Sequence, residues 1–187
     1  MPSRDEHICR RRRLAVWLGT GLLTSVCPGP ACAQETALEA EVKAAYVDKL
    51  PQFVQWPASA LASGAFVLCV VGESASEELV SQAVAGHSVQ QRPIVVRHLG
   101  AITAHSGCQM LFIAGEPAST VVRVLAILRG RPVLTITDQE TEPDAIGIIN
   151  FVAVDGRVRF QINRADASRS GLRISSKLLS VAAAIVQ

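Results

Sequence analysis

Between residues 65 and 137 short apolar runs alternate with stretches of helical period, and this alternation narrows the possible folds more than any other feature of the chain. Ala65 to Val71 (AFVLCVV) is continuous and rich in strand formers, as a strand covered on both faces must be. Ser74 and Glu77 then fit a capping box. The helix they open carries Leu79, Val80, Ala83 and Val84 on one face and should stop at Gly86. Ile94 to His98, Met110 to Ile113 and Val133 to Thr137 read as three further strands. Pro117 and Ser119 begin a helix with Val121, Val122, Val124, Leu125 and Leu128 inward, and Gly130 ends it. Such alternation is the mark of βαβ units and a mostly parallel sheet.

The flanks differ. Thr36 to about Gln55 is helical by the recurrence of Val42, Ala45, Tyr46, Leu50, Phe53 and Val54. Pro51 interrupts that stripe, which predicts a kink or two short helices, and Trp56-Pro57 ends it. Downstream, Gly147 to Val154 and Arg157 to Asn163 flank Asp155-Gly156, a strong two-residue hairpin signal. That turn sets Val154 opposite Arg157, Phe151 opposite Phe160 and Asn150 opposite Gln161. One face of the ribbon is then Ile149, Phe151, Ala153, Val158, Phe160 and Ile162, and must be core. The other is Ile148, Asn150, Val152, Arg157, Arg159 and Gln161, which is either solvated or a partner surface. Asn163 caps a short helix ending at Gly171. Ser175 or Ser176 caps a last helix with Leu178, Leu179, Ala182, Ile185 and Val186 inward. The expected fold is α/β: a single compact domain, a mostly parallel sheet with an antiparallel C-terminal hairpin, and flanking helices.

Residues 1–33 read as a secretory signal peptide. Arg10-Arg11-Arg12-Arg13 is a basic start, and Leu14 to Val26 is an apolar run shorter than the roughly 20 residues a membrane span needs. Ala31-Cys32-Ala33 offers small residues to a signal peptidase, so the mature domain, 34–187, would begin at Gln34 in the periplasm. The whole chain carries a formal net charge of +2, but residues 34–187 hold 13 Lys+Arg against 14 Asp+Glu. A nearly neutral body argues against a nucleic-acid partner. Two of the five cysteines, Cys69 and Cys108, remain in that body. A lone pair in an oxidising compartment is a disulfide candidate, with two buried thiols as the alternative.

The catalytic inventory is thin. The chain has no G-x-S-x-G elbow, H-E-x-x-H, Walker loop or G-x-G-x-x-G. His87, His98 and His105 are never three or four residues apart, so they read as surface histidines rather than metal ligands. No cofactor is called for. The ends of parallel strands, near Gly72, Gly115 and Asp138, are where an α/β protein would hold a small ligand.

Several segments together resemble the YfiR-like family of periplasmic proteins. They are Glu41-Val42-Lys43-Ala44-Ala45-Tyr46, Phe53-Val54-Gln55-Trp56-Pro57, Leu68-Cys69-Val70-Val71-Gly72, Arg92-Pro93-Ile94-Val95-Val96 and Cys108-Gln109-Met110-Leu111-Phe112-Ile113. Further on come Pro132 to Asp138, Ile149-Asn150-Phe151, Val158-Arg159-Phe160 and Gly171 to Leu179, all in the family's order. The resemblance implies a non-enzymatic regulator. Such a protein binds the periplasmic part of an inner-membrane GGDEF-type diguanylate cyclase and holds it inactive, so controlling cyclic-di-GMP. It also implies a homodimer and a disulfide between Cys69 and Cys108. The family's second cysteine pair has no counterpart, since no cysteine follows Cys108. On the ribbon's mixed face, Ile148 and Val152 beside Arg157 and Arg159 are the interface candidates, because arginine next to apolar contacts is a frequent hot-spot composition. Two rivals are a small-molecule sensor module with a pocket at the strand ends and an unrecognised hydrolase.

Overall fold

The computed structural model describes residues 31–62, 64–72, 74–139 and 142–186. The basic and apolar runs of the expected signal peptide lie outside them. Helix α1 spans Ala31–Lys49 and yields at Pro51 to a 3-10 turn over Leu50–Phe53. Proline lacks the N–H a continuing helix would need but suits the first positions of a new turn. The helix expected as far as Gln55 therefore ends at Lys49, and Val54–Gln55 is instead a strand, β1. The inward line of α1 runs through Ala44 and Val47, while Ala45 is exposed.

Strand β2 (Phe66–Gly72) is followed by α2 (Ser74–Val84), β3 (Ser88–Val89) and β4 (Arg92–His98). Then come β5 (Met110–Ala114), α3 (Ala118–Leu128), β6 (Leu134–Thr137), β7 (Ile149–Val154) and β8 (Arg157–Asn163). The chain closes with α4 (Arg164–Arg169), β9 (Arg173–Ile174), α5 (Ser176–Leu179) and β10 (Ala184–Val186). Eight strands form one sheet in the order β10-β8-β7-β6-β5-β2-β4-β3, and β1 pairs with β9 in a separate two-stranded ribbon. From β4 through β2, β5 and β6 to β7 every pairing is parallel. The βαβ pattern is thus realised, with antiparallel pairs at β7–β8 and β3–β4.

Period-two alternation on β2 sends Phe66, Leu68 and Val70 to a large core with Ala44 and Val47 of α1 and Val80 and Val84 of α2. Val67, Cys69 and Val71 face the other way, onto Val121, Val124 and Leu128 of α3. Helices therefore cover both faces, which explains why β2 and β5 are continuous apolar runs and why β6, Leu-Thr-Ile-Thr, is buried throughout. Cys69 and Cys108 form a disulfide inside the second cluster, with Cα atoms 5.8 Å apart. Val122, expected inward, lies on the outer face of α3.

The C-terminal hairpin has the expected register, with Val154 opposite Arg157 and Phe151 opposite Phe160. Asp155 and Gly156 both have positive φ (51° and 68°), the geometry of a tight primed turn. Asn163 caps α4 by accepting a hydrogen bond from the Asp166 amide, and Ser175 caps α5 in the same way from Leu178. The last helix is much shorter than its pattern predicts. It ends at Leu179, and Ala184–Val186 pairs parallel with β8 at the sheet edge, leaving Ile185 47% exposed rather than inward. Ile185 and Val186 are β-branched and suit an edge strand better than a helix end.

Candidate functional site

Strand order reverses beside β2: the chain leaves β2 for β4 on one side and returns to β5 on the other. In open parallel sheets the carboxyl ends at such a reversal diverge and leave a crevice. Here a cavity of about 280 Å³ opens there, between α1 and α2. Val80, Phe112 and Ala114 give it a buried apolar floor. Glu39, Ala40, Lys43, Ser76, Gly115 and Asp138 form the remainder. Two of the three ligand candidates, Gly115 and Asp138, therefore share one cavity. Gly72 lies beside it, paired with Ala114 across β2 and β5.

Asp138 is held by a polar network on the residues around it. Thr137 donates its hydroxyl to Asn150 Oδ1 at 2.7 Å and accepts from the Gly147 amide. Asn150 Oδ1 also accepts from the Gln139 amide, and its Nδ2 donates to the Gln139 carbonyl. Gln139 Nε2 in turn donates to the Glu116 carbonyl at 3.1 Å. The residues on both sides of Asp138 are thereby pinned. Sequence reading did not find this network, because each member is an ordinary polar residue until the sheet brings 135–139 beside 147–150.

Lys43 reaches the cavity from α1. Its Nζ lies 2.7 Å from Glu39 Oε1, one turn earlier on the helix, and 3.4 Å from Asp138 Oδ2. Burial pulls the Lys43 ammonium toward losing its proton. The hydrogen bond that Lys43 donates to Glu39 and the charges of Asp138 and Glu39 outweigh that, and the pKa stands above the ordinary lysine value. Lys43 is thus a cation throughout the physiological range.

The histidines behave as expected of surface residues with partners. His87 Nδ1 lies 2.7 Å from Asp48, and His98 Nδ1 lies 2.8 Å from Glu77. Among the described residues no group of three His, Cys, Asp or Glu is placed to hold a metal. Glu77 is therefore engaged with β4; the Ser74 side chain, the other half of the expected capping box, lies outside the described residues.

The interface candidates divide. Ile148 is buried in the core, its amide donating to Thr135 Oγ1, so it is not part of an exposed strip. The strand leading into β7 is still covered at that point, whereas the ribbon tip is not. Val152 is half-buried and Arg157 and Arg159 are exposed, with Val154 at 41% on the same face. The Arg159 guanidinium donates to the Val181 carbonyl at 3.2 Å. On the opposite face Tyr46 covers Phe151 and Phe160, its ring 5.8 Å and 5.5 Å from theirs, while Ala153, nearer the turn and expected in the core, is exposed.

The described residues thus define a mixed α/β domain, stapled by one disulfide, with a cavity at its strand ends and a hairpin whose outer face is exposed. Residues 40–183 match the YfiR/HmsC-like family (DUF4154), and the chain belongs to that family. The family is one of periplasmic regulators rather than catalysts. None of the curated proteins matches the sequence. Among solved structures, the ABC domain in complex with L-Trp from Streptococcus pneumonia is 10% identical with a TM-score of 0.48. That likeness covers 79% of this chain and 60% of the other, so the chain spans less than two thirds of that protein's length.

Proposed function

We propose that the chain is exported, cleaved after Ala33, and acts in the periplasm as an inhibitory partner of an inner-membrane GGDEF-type diguanylate cyclase. It is read as a regulator and not as an enzyme. The observation that carries this reading is the family match across residues 40–183. Inhibition is then reversible occlusion: the bound protein favours the cyclase's inactive state, and release shifts the population back. The ribbon tip is the proposed contact surface, through Val152, Arg157 and Arg159, either with the cyclase or between the two copies of a homodimer. Its support is the exposed guanidinium groups of Arg157 and Arg159 beside half-buried Val152 and exposed Val154 on one face of the hairpin.

Val152→Asp and Arg159→Glu test this. Both positions are solvent-accessible, so the variants should keep the wild-type thermal transition within a few degrees. They should weaken self-association or cyclase binding and raise cellular cyclic-di-GMP, as deletion of the gene should. Folded variants with wild-type assembly and wild-type cyclic-di-GMP would move the contact surface elsewhere. An unchanged nucleotide level after deletion would remove the cyclase reading itself.

The strand-end cavity favours a second reading beside the first: the domain also senses a small molecule there. The supporting observation is a concave site with an apolar floor and a Lys43–Asp138 pair, 3.4 Å apart, at a topological switch point.

A further inference from the structure

The strand-end cavity holds an unequal set of charges. Two carboxylates, Glu39 and Asp138, face the single ammonium of Lys43. That ammonium is already committed, closely to Glu39 at 2.7 Å and more loosely to Asp138 at 3.4 Å. The second carboxylate oxygen of Asp138 and the hydroxyl of Ser76 have no hydrogen-bond partner among the described residues. An incoming anion would meet two carboxylates and find the one cation among the described residues of the cavity occupied. An incoming ammonium would find an acceptor with spare capacity, held in place by the Thr137–Asn150–Gln139 network. The Lys43 side chain already sets one alkylammonium beside this carboxylate. Beneath it, Phe112, Val80 and Ala114 offer an apolar bed to whatever carries the charge.

We propose that this cavity binds a small organic amine, its ammonium on Asp138 and its apolar body on Phe112, Val80 and Ala114. The inference deepens the sensor reading given above and rests on it. Lys43 acts as an internal competitor for the same carboxylate. A bound amine that loosens Lys43 from Asp138 acts on α1, which one turn later places Tyr46 against Phe151 and Phe160 of the ribbon. The cavity and the ribbon are thus joined by a single helix.

The test is calorimetric titration of the exported, disulfide-bonded protein with benzylamine, benzyl alcohol and benzoate, which share a ring and differ in charge. Benzylamine should bind saturably at up to about millimolar concentration, with the other two weaker by about tenfold or more. Asp138→Asn should weaken benzylamine by a similar factor. Lys43→Met should tighten it severalfold, the reverse of what a site for anions would do. Should Asp138→Asn fail to fold, Ala40→Phe, which fills the cavity from α1, should abolish benzylamine binding while leaving the thermal transition sharp. Benzoate binding best, and lost in Lys43→Met, would overturn the amine assignment and keep the sensor reading. Unchanged benzylamine affinity in Lys43→Met would also overturn it. No saturable binding by any of the three would overturn both.

Discussion

Gly72 is fixed by its surroundings as few residues in the chain are. It ends β2 with φ at +113°, and a Cβ added there would lie 1.8 Å from the Ala114 carbonyl oxygen. That oxygen belongs to a backbone bound into the sheet, so it has no room to move aside. Gly72→Ala should therefore destabilise the fold by about 3 kcal/mol or more, combining overlap with backbone strain. Gly156→Ala is the control. Its φ is also positive (+68°), but nothing lies within 4 Å of the added Cβ. It should cost only about 1 kcal/mol, the strain alone. Urea unfolding of the two variants separates these outcomes, and equal losses would show that the contact with Ala114 is relieved by a shift. Gln109 is fixed in another way. Its side chain accepts from the Val67 amide and donates to the Ala60 carbonyl, while its own carbonyl accepts from Trp56 Nε1. A glutamine before a strand carries no such signal in sequence, because its partners lie some 40 to 50 residues away.

At the scale of elements, what could be read ahead of the structure follows from how local each cause is. The strands β2 and β5 were legible because burial on both faces writes a continuous apolar run, and β6 because its Leu-Thr-Ile-Thr is rich in β-branched strand formers. The hairpin register followed from Asp155-Gly156 alone. β1, β3, β9 and β10 were not legible: each is two or three residues long and exists only through a partner elsewhere in the chain. The same limit applied to the cavity. Gly115 and Asp138 were identifiable as strand ends, but Lys43 and Glu39 arrive from a helix that sequence does not orient. The disulfide belongs to this scale too, for it ties β2 to the turn before β5 across 39 residues of chain. Cys69→Ser should destabilise the domain by about 2–5 kcal/mol, chiefly by releasing loop entropy in the unfolded chain. Cys108→Ser should lose a similar amount and the double variant little more. Wild-type protein should show no alkylatable thiol without reductant. Two free thiols, or a much larger loss in the double variant, would contradict this.

For the whole molecule the first expectation concerns export. Sequencing the amino terminus of protein recovered from the periplasm should give Gln34 as the first residue. A mature chain that keeps Arg10 to Arg13 would defeat the proposed cleavage and the freely diffusing periplasmic form with it. The cut would fall in the first turn of α1 and spare Lys43, Tyr46 and everything they touch.

The pairing of β1 with β9 bears on how such a chain would finish folding. Val54 lies opposite Ile174 and Gln55 opposite Arg173, so the segment after α1 is closed by almost the last part of the domain to be made. Contacts this distant in sequence slow the search for the native state. A chain threaded through a membrane amino end first would deliver α1 early and its latch late. During that interval the helix that carries both Lys43 and Tyr46 is unfastened, and a periplasmic protease or holdase would have its best opportunity there.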